Sequence, residues 1–379
     1  MKKLFFIAAI ASVALVSCTK NDFDESPTTD KKIEFAAPVV SPTTKGTLEV
    51  WNNYPQGTDY NFAVWAKYFP TGTYTNWAGS GVQTYMQEVP VAFADNTWAP
   101  ADAYYWPKNG SLTFIAYSPA SKASYAEATD SGITFTNYDV STTVTEQVDL
   151  MFSERAYNKK AVDDNEAGSG ETGNNSTVTD DPYKGVHLSF KHALSSVAFT
   201  AKTAADYSGS TKITLNKIEL VNVGSIASFD QNLDDTNNAP TTAAAWTPAT
   251  GLVTYKVNNS DNLAQVLTTT AWWSANNSNS APAKADGLRN TDFILLPQDL
   301  SANGVKIRIT YTLDNAGTGS EALEQVIEKD LATAAVSKWE MGKRYIYNII
   351  VGLDTIFFEP YVADWEDVPA GGAGQDFNF

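Results

Sequence analysis

The sequence predicts an almost all-β protein of two sandwiches in tandem, and three observations carry that reading. Thr, Val, Ile, Tyr, Phe and Trp are plentiful, with aromatics alone at 12% of the chain, and such side chains suit a pleated, half-buried surface. Gly, Asn, Asp and Pro punctuate the chain about every ten residues, the spacing of short strands joined by turns. Apolar residues recur with a period of two in segment after segment, in two runs of about seven segments each. At 379 residues the chain is long enough for two domains. The single cysteine leaves no intrachain disulfide, so the cores must hold by packing. No short-period repeat is present, which argues against a propeller or solenoid.

The first element lies outside the fold. Lys2 and Lys3 precede a nearly unbroken apolar run from Leu4 to Val16 and the small residue Ser17, which is the pattern of a secretory signal peptide. The run is shorter than the ~20 residues a spanning helix needs. Leu15-Val16-Ser17-Cys18 resembles the bacterial lipobox, in which cleavage leaves a lipidated Cys18 as the first residue. Acyl chains at ~0.8 kcal/mol per buried methylene make a lasting anchor. Residues 18–30, polar and charged, read as a flexible tether.

"KKIEFAAPVV", residues 31–40, alternates through Ile33, Phe35, Ala37 and Val39, and Pro38 places this strand at an edge or near its end. "SPTTKG" follows as an exposed turn. "YNFAVWAKYF" sets Phe62, Val64, Ala66 and Tyr68 against Ala63, Trp65 and Lys67. "SLTFIAYSP" is apolar on both faces, as for a strand in the middle of a sandwich, and "VDLMFS" at 148–153 is another short strand. Residues 158–182, "NKKAVDDNEAGSGETGNNSTVTDDP", form a long polar loop. Alternation resumes through Val186, Leu188 and Phe190, then Val197 and Phe199. "KITLNKIELVNV" changes phase between Leu215 and Ile218, which predicts a bulge. "VKIRITYTL" is two-sided, and "RYIYNIIVGL" puts Tyr345, Tyr347, Ile349, Val351 and Leu353 on one face. "ALEQVIEKDL" fits a helix or a strand through Leu323, Ile327 and Leu331; its neighbours favour strand. The expected organisation is a leader over 1–17, a tether over 18–30, a first sandwich over 31–182 including the loop, and a second over 183–379 with a C-terminal tail.

Composition narrows the function. Acidic residues outnumber basic ones 43 to 26, a net charge of −17 that becomes −19 once Lys2 and Lys3 leave with the leader. Such a chain repels phosphate backbones, so no nucleic-acid partner is expected. Of the two histidines, His187 alternates with apolar neighbours and should face solvent, while His192 should hydrogen-bond at a strand end. Neither sits with a partner at triad or zinc-ligand spacing. No calcium loop, phosphate-cradling glycine loop or singled-out carboxylate pair is present. No catalytic residue, metal or cofactor is expected. Trp272-Trp273 is the best candidate for a sugar-stacking contact, since adjacent strand residues point to opposite faces and one can be exposed.

Five segments in order resemble the fimbrillin-like lipoproteins of Bacteroidales, the subunits of type V pili: "FAVWAKY" at 62–68, "YYWPKNGSLTFIAYSP" at 104–119, "DLMFS" at 149–153, "LSFKHALSSVAF" at 188–199, and "WEMGKRYIYNIIVGLDTIFFEPYVADW" at 339–365. The resemblance implies two transthyretin-like Greek-key β-sandwich domains, export as an outer-membrane lipoprotein, and assembly at the cell surface with other pilin subunits by donor-strand exchange. It implies protease cleavage after a basic residue beyond the first strand, here Lys45 in "TTKGT", leaving Gly46 as the new start. The alternative is an ordinary turn at Lys45 and a strand kept for life. The tail "EDVPAGGAGQDFNF" fits a donor strand less well, with only Phe377 and Phe379 in alternation. The competing functional reading is a carbohydrate-binding surface lipoprotein using Trp272 and Trp273.

Overall fold

The computed structural model of the protein describes residues 28–36, 38–40, 61–95, 97–160, 185–207, 209–233, 244–274, 292–315, 322–353 and 356–364. Its strands in the first half are β1 (Thr28–Lys32), β2 (Val39–Val40), β3 (Asn61–Phe69), β4 (Gln83–Ala94), β5 (Thr97–Pro100), β6 (Tyr105–Pro107), β7 (Ser111–Ser118), β8 (Ala126–Thr129), β9 (Gly132–Asp139), β10 (Met151–Ser153) and β11 (Ala156–Lys159). In the second half come β12 (Ser189–His192), β13 (Ser195–Thr203), β14 (Thr211–Asp230), β15 (Ala245–Trp246), β16 (Thr250–Lys256), β17 (Gln265–Val266), β18 (Trp272–Trp273) and β19 (Phe293–Leu295). The last are β20 (Gln298–Asp299), β21 (Lys306–Asn315), β22 (Leu323–Asp330), β23 (Lys338–Trp339), β24 (Lys343–Val351) and β25 (Ile356–Asp364). Helix among the described residues is confined to single 3-10 turns, so the protein is all-β.

The first sheet runs β2-β12-β10-β7-β3-β4-β5, with β11 also on β7. Its central strands are apolar on both faces because each face meets a different core. Phe62, Val64, Ala66 and Tyr68 of β3, with Leu112, Phe114 and Ala116 of β7, point into a smaller core enclosed by this sheet. Ala63 and Trp65, with Ile115 and Tyr117, point the other way into a larger core. That core is closed by the sheet β22-β21-β14-β9-β8 and by the sheet β18-β13-β24-β25. At its centre β13 and β24 run parallel, with Phe199 stacked on Tyr347 at 5.8 Å.

Strand pairing crosses the division expected at residue 182. β12, with Val186 and Leu188 ahead of it, completes the first sheet and the smaller core, whereas β9 joins β14 of the second half. A buried glutamine ties two layers. Gln231 accepts from the Ile133 amide at 2.9 Å and donates to the Ser153 carbonyl at 3.0 Å. Within the sheet of β13, β19 and β24, Arg344 donates to Asp292 at 2.8 Å, and the Ser196 hydroxyl donates to the same carboxylate at 2.9 Å.

β14 carries the expected bulge: Leu215 faces Tyr311 and Lys217 faces Thr310, so Asn216 is the extra residue and Ile213, Leu215, Ile218 and Leu220 all stay buried. "LEQVIEKD" is the strand β22. Three details differ from expectation. Leu323 is 58% exposed because β22 is an edge strand lying beyond the packed face. Leu353 is 42% exposed because β24 ends at Val351 and its face no longer continues. Of the polar loop expected over 158–182, residues 158 and 159 instead belong to β11, which pairs with β7 through Lys159, and residues 161–182 lie outside the described residues.

Candidate functional site

Apart from β2, the first sheet ends in two edges, β5 on one side and β12 on the other, and the described residues of the segment 33–40 reach both. β1 pairs antiparallel with β6. The chain then moves inward. The Ile33 amide donates to the Tyr104 carbonyl at 2.7 Å, and the Phe35 amide donates to the Trp98 carbonyl of β5 at 2.8 Å. On the opposite side, the Val186 amide donates to the Glu34 carbonyl at 2.8 Å and the Ala36 amide to the Val186 carbonyl at 3.0 Å. Finally β2 pairs parallel with β12, Val39 opposite Ser189 and Val40 opposite Phe190. One short segment thus satisfies backbone groups on two edges that would otherwise be open.

Its side chains complete the smaller core. Ile33 is 1% and Phe35 3% exposed. The Phe35 ring meets Phe62 at 5.6 Å and Phe114 at 5.8 Å, both edge-to-face, the geometry favoured by aromatic quadrupoles. Beyond Phe35 the inward phase shifts: Pro38 and Val40 are buried, and the proline stands just ahead of an edge strand, where a missing amide costs nothing. Ala37 and the Val39 side chain lie outside the described residues. Sequence reasoning missed Gly185. Its φ is +131°, and a Cβ there would lie 2.7 Å from the Ala36 nitrogen and the Phe35 carbonyl carbon. Only glycine lets the two backbones pass so closely, and nothing in the sequence separates this glycine from those of the polar loop before it.

Two tyrosines line the rim. Tyr85 donates its hydroxyl to the Tyr105 carbonyl, and burial pushes its pKa up to about 12. Tyr104 is shifted upward too, first by burial and then by the nearby Asp102 charge. Among the described residues no group of three or more His, Cys, Asp or Glu could hold a metal. The arrangement can grip an extended strand by its backbone and two or three apolar side chains.

Cys18, Lys45, Gly46 and the C-terminal tail lie outside the described residues. β18 holds Trp272 and Trp273 opposite Ala201 and Thr200 of β13. Trp272 is half-buried and packs against the larger core, and the Trp273 side chain lies outside the described residues. Neither tryptophan belongs to the strand-closing site. His187 is half-buried, and His192 ends β12 with its Nδ1 at 2.8 Å from Asp149.

A β-sandwich whose inner core is finished by a terminal segment between two sheet edges is the class these features define. The sequence profile of the fimbrillin-like family matches residues 58–365, and the chain belongs to that family. Among curated proteins no match is found. A fimbrial protein from Bacteroides vulgatus ATCC 8482 has a similar structure, with a TM-score of 0.53 and 14% identity over 89% of this chain and 100% of that one. A candidate cell adhesion protein from Bacteroides uniformis ATCC 8492 gives a TM-score of 0.44 and 16% identity, covering 89% of this chain and 100% of the other.

Proposed function

We propose that the protein is a structural or adhesive subunit of a type V pilus, displayed on the cell surface and joined to its neighbours by strand complementation. The observation that carries this reading is the seat of residues 33–40. Losing them would open two sheet edges at once and leave an apolar slot where Ile33 and Phe35 now sit. Such a slot favours addition of an extended strand from another molecule. Family membership supports the same reading. In this scheme the leader is removed at Cys18, which carries lipid at the outer membrane. Cleavage after Lys45 then releases the closing segment and makes Gly46 the new N-terminus. The chemistry is assembly rather than catalysis.

The test is to treat the purified protein with trypsin and look on denaturing gels run without boiling. Cleavage at Lys45 should yield a ladder of stable multimers. If it gives only unfolded fragments, the pilus-subunit reading fails. N-terminal sequencing of protein taken from the cell surface separates an anchored form, beginning with lipidated Cys18, from a matured one beginning with Gly46.

A further inference from the structure

Far from the closing segment, the outer face of the second sheet is not flat. The extra residue Asn216 of β14 lines it, with Asp261 and Asn262 of the connection after β16 on one side and Glu324 and Val326 of the edge strand β22 on the other. Between them lies an open, polar groove of about 630 Å³ floored by β14 and β21.

The groove is polar, and two of its polar side chains, Arg308 and Asn216, are held by hydrogen bonds. Glu219 lies at the floor, 6% exposed. The Lys217 ammonium and an Arg308 guanidinium nitrogen approach its carboxylate at 3.6 and 3.7 Å. Both distances are beyond hydrogen-bond range, so its oxygens keep their acceptor capacity. Arg308 is fixed by two bonds to one oxygen of Glu328, at 3.0 and 2.8 Å. Asn216 donates to the Thr312 hydroxyl at 2.6 Å. Val326, 58% exposed, is an apolar surface on the rim.

We infer that this groove binds a neutral saccharide. Charges of both signs alternate along it, so it does not select a strongly charged ligand. What it offers is donors and acceptors a few ångströms apart on paired β-strands. Neighbouring sugar hydroxyls match that pattern, because each is both a donor and an acceptor. Glu219 accepts from a hydroxyl that reaches the floor, Lys217 and Arg308 donate to ring substituents, and Val326 supports the C–H face of the ring. This site does not involve Trp272 or Trp273 and does not depend on strand exchange.

The experiment screens the full chain on an array of neutral oligosaccharides and titrates the strongest ligand by calorimetry. Val326→Arg, an exposed change that lays a long side chain across the groove, should weaken binding at least tenfold and leave thermal unfolding unchanged. Glu219→Gln should weaken it similarly. Absence of binding to every neutral oligosaccharide overturns the assignment. So does binding that survives Val326→Arg but is lost in Trp272→Ala, or retention of acidic glycans only.

Discussion

Single residues decide whether the closing segment stays seated. Replacing Gly185 with Ala puts a Cβ 2.7 Å from the backbone of residues 35 and 36 and forces a φ of +131° on a residue that rarely adopts it. That costs at least ~1–3 kcal/mol. We expect a lower thermal midpoint and faster proteolysis near residue 35; an unchanged midpoint would show that the close passage does not matter. Phe35→Ala removes a ring held by two edge-to-face contacts, a loss of about 3–5 kcal/mol readable by denaturant unfolding. Elsewhere, Asp292→Ala strands the Arg344 guanidinium, whose side chain is 11% exposed. Breaking a buried pair in this way costs about 3–5 kcal/mol, and a midpoint equal to that of the parent protein would contradict the assignment. These roles differ in how far they could be read in advance. Phe35 announced itself by alternation, whereas Gly185 matters through a partner 150 residues away in sequence and Asp292 through partners 52 and 96 residues away.

At the scale of elements, the phase of apolar residues was informative because a strand has only two faces. The slip between Leu215 and Ile218 can be satisfied on one face only if a residue bulges out, and Asn216 does so. Deleting Asn216 should therefore leave Ile213, Leu215, Ile218 and Leu220 on the core side of a regular strand. We expect a soluble variant that unfolds cooperatively, checked by circular dichroism. Deleting Thr214 instead turns Ile213 outward relative to Leu215 and should lower stability clearly. β22 shows where periodicity runs out. Leu323 and Ile327 satisfy either period, and it is pairing with β21, Leu323 opposite Leu313 through Asp330 opposite Lys306, that makes this segment a strand. The same edge position explains its exposed Leu323, which a core-facing reading would have buried, while Val326 lies on the opposite face of the strand.

For the molecule as a whole, the larger core depends on buried tyrosines. Tyr345 is pushed up to about 12 by burial, and Tyr117, Tyr138, Tyr255 and Tyr347 are also shifted upward, burial being the largest cause for each. Their neutral forms are favoured in the folded state. The stability they contribute is complete below the ordinary tyrosine value near 10 and is lost as pH rises through the higher folded values. Alkaline unfolding should therefore begin above about pH 10, with loss of circular dichroism tracking tyrosinate absorbance; full tyrosine titration in a still-folded protein would refute this. By itself the sequence determined the all-β class, most strands and their inward residues, and the bulge, because alternation is local and each strand's apolar face must be buried somewhere. Only the tertiary structure decided that β3 and β7 serve two cores, that β9 and β12 pair across the halves, and that residues 33–40 bridge two edges. Those outcomes depend on which strands meet in space, and a pattern of period two says which face is buried but not against what.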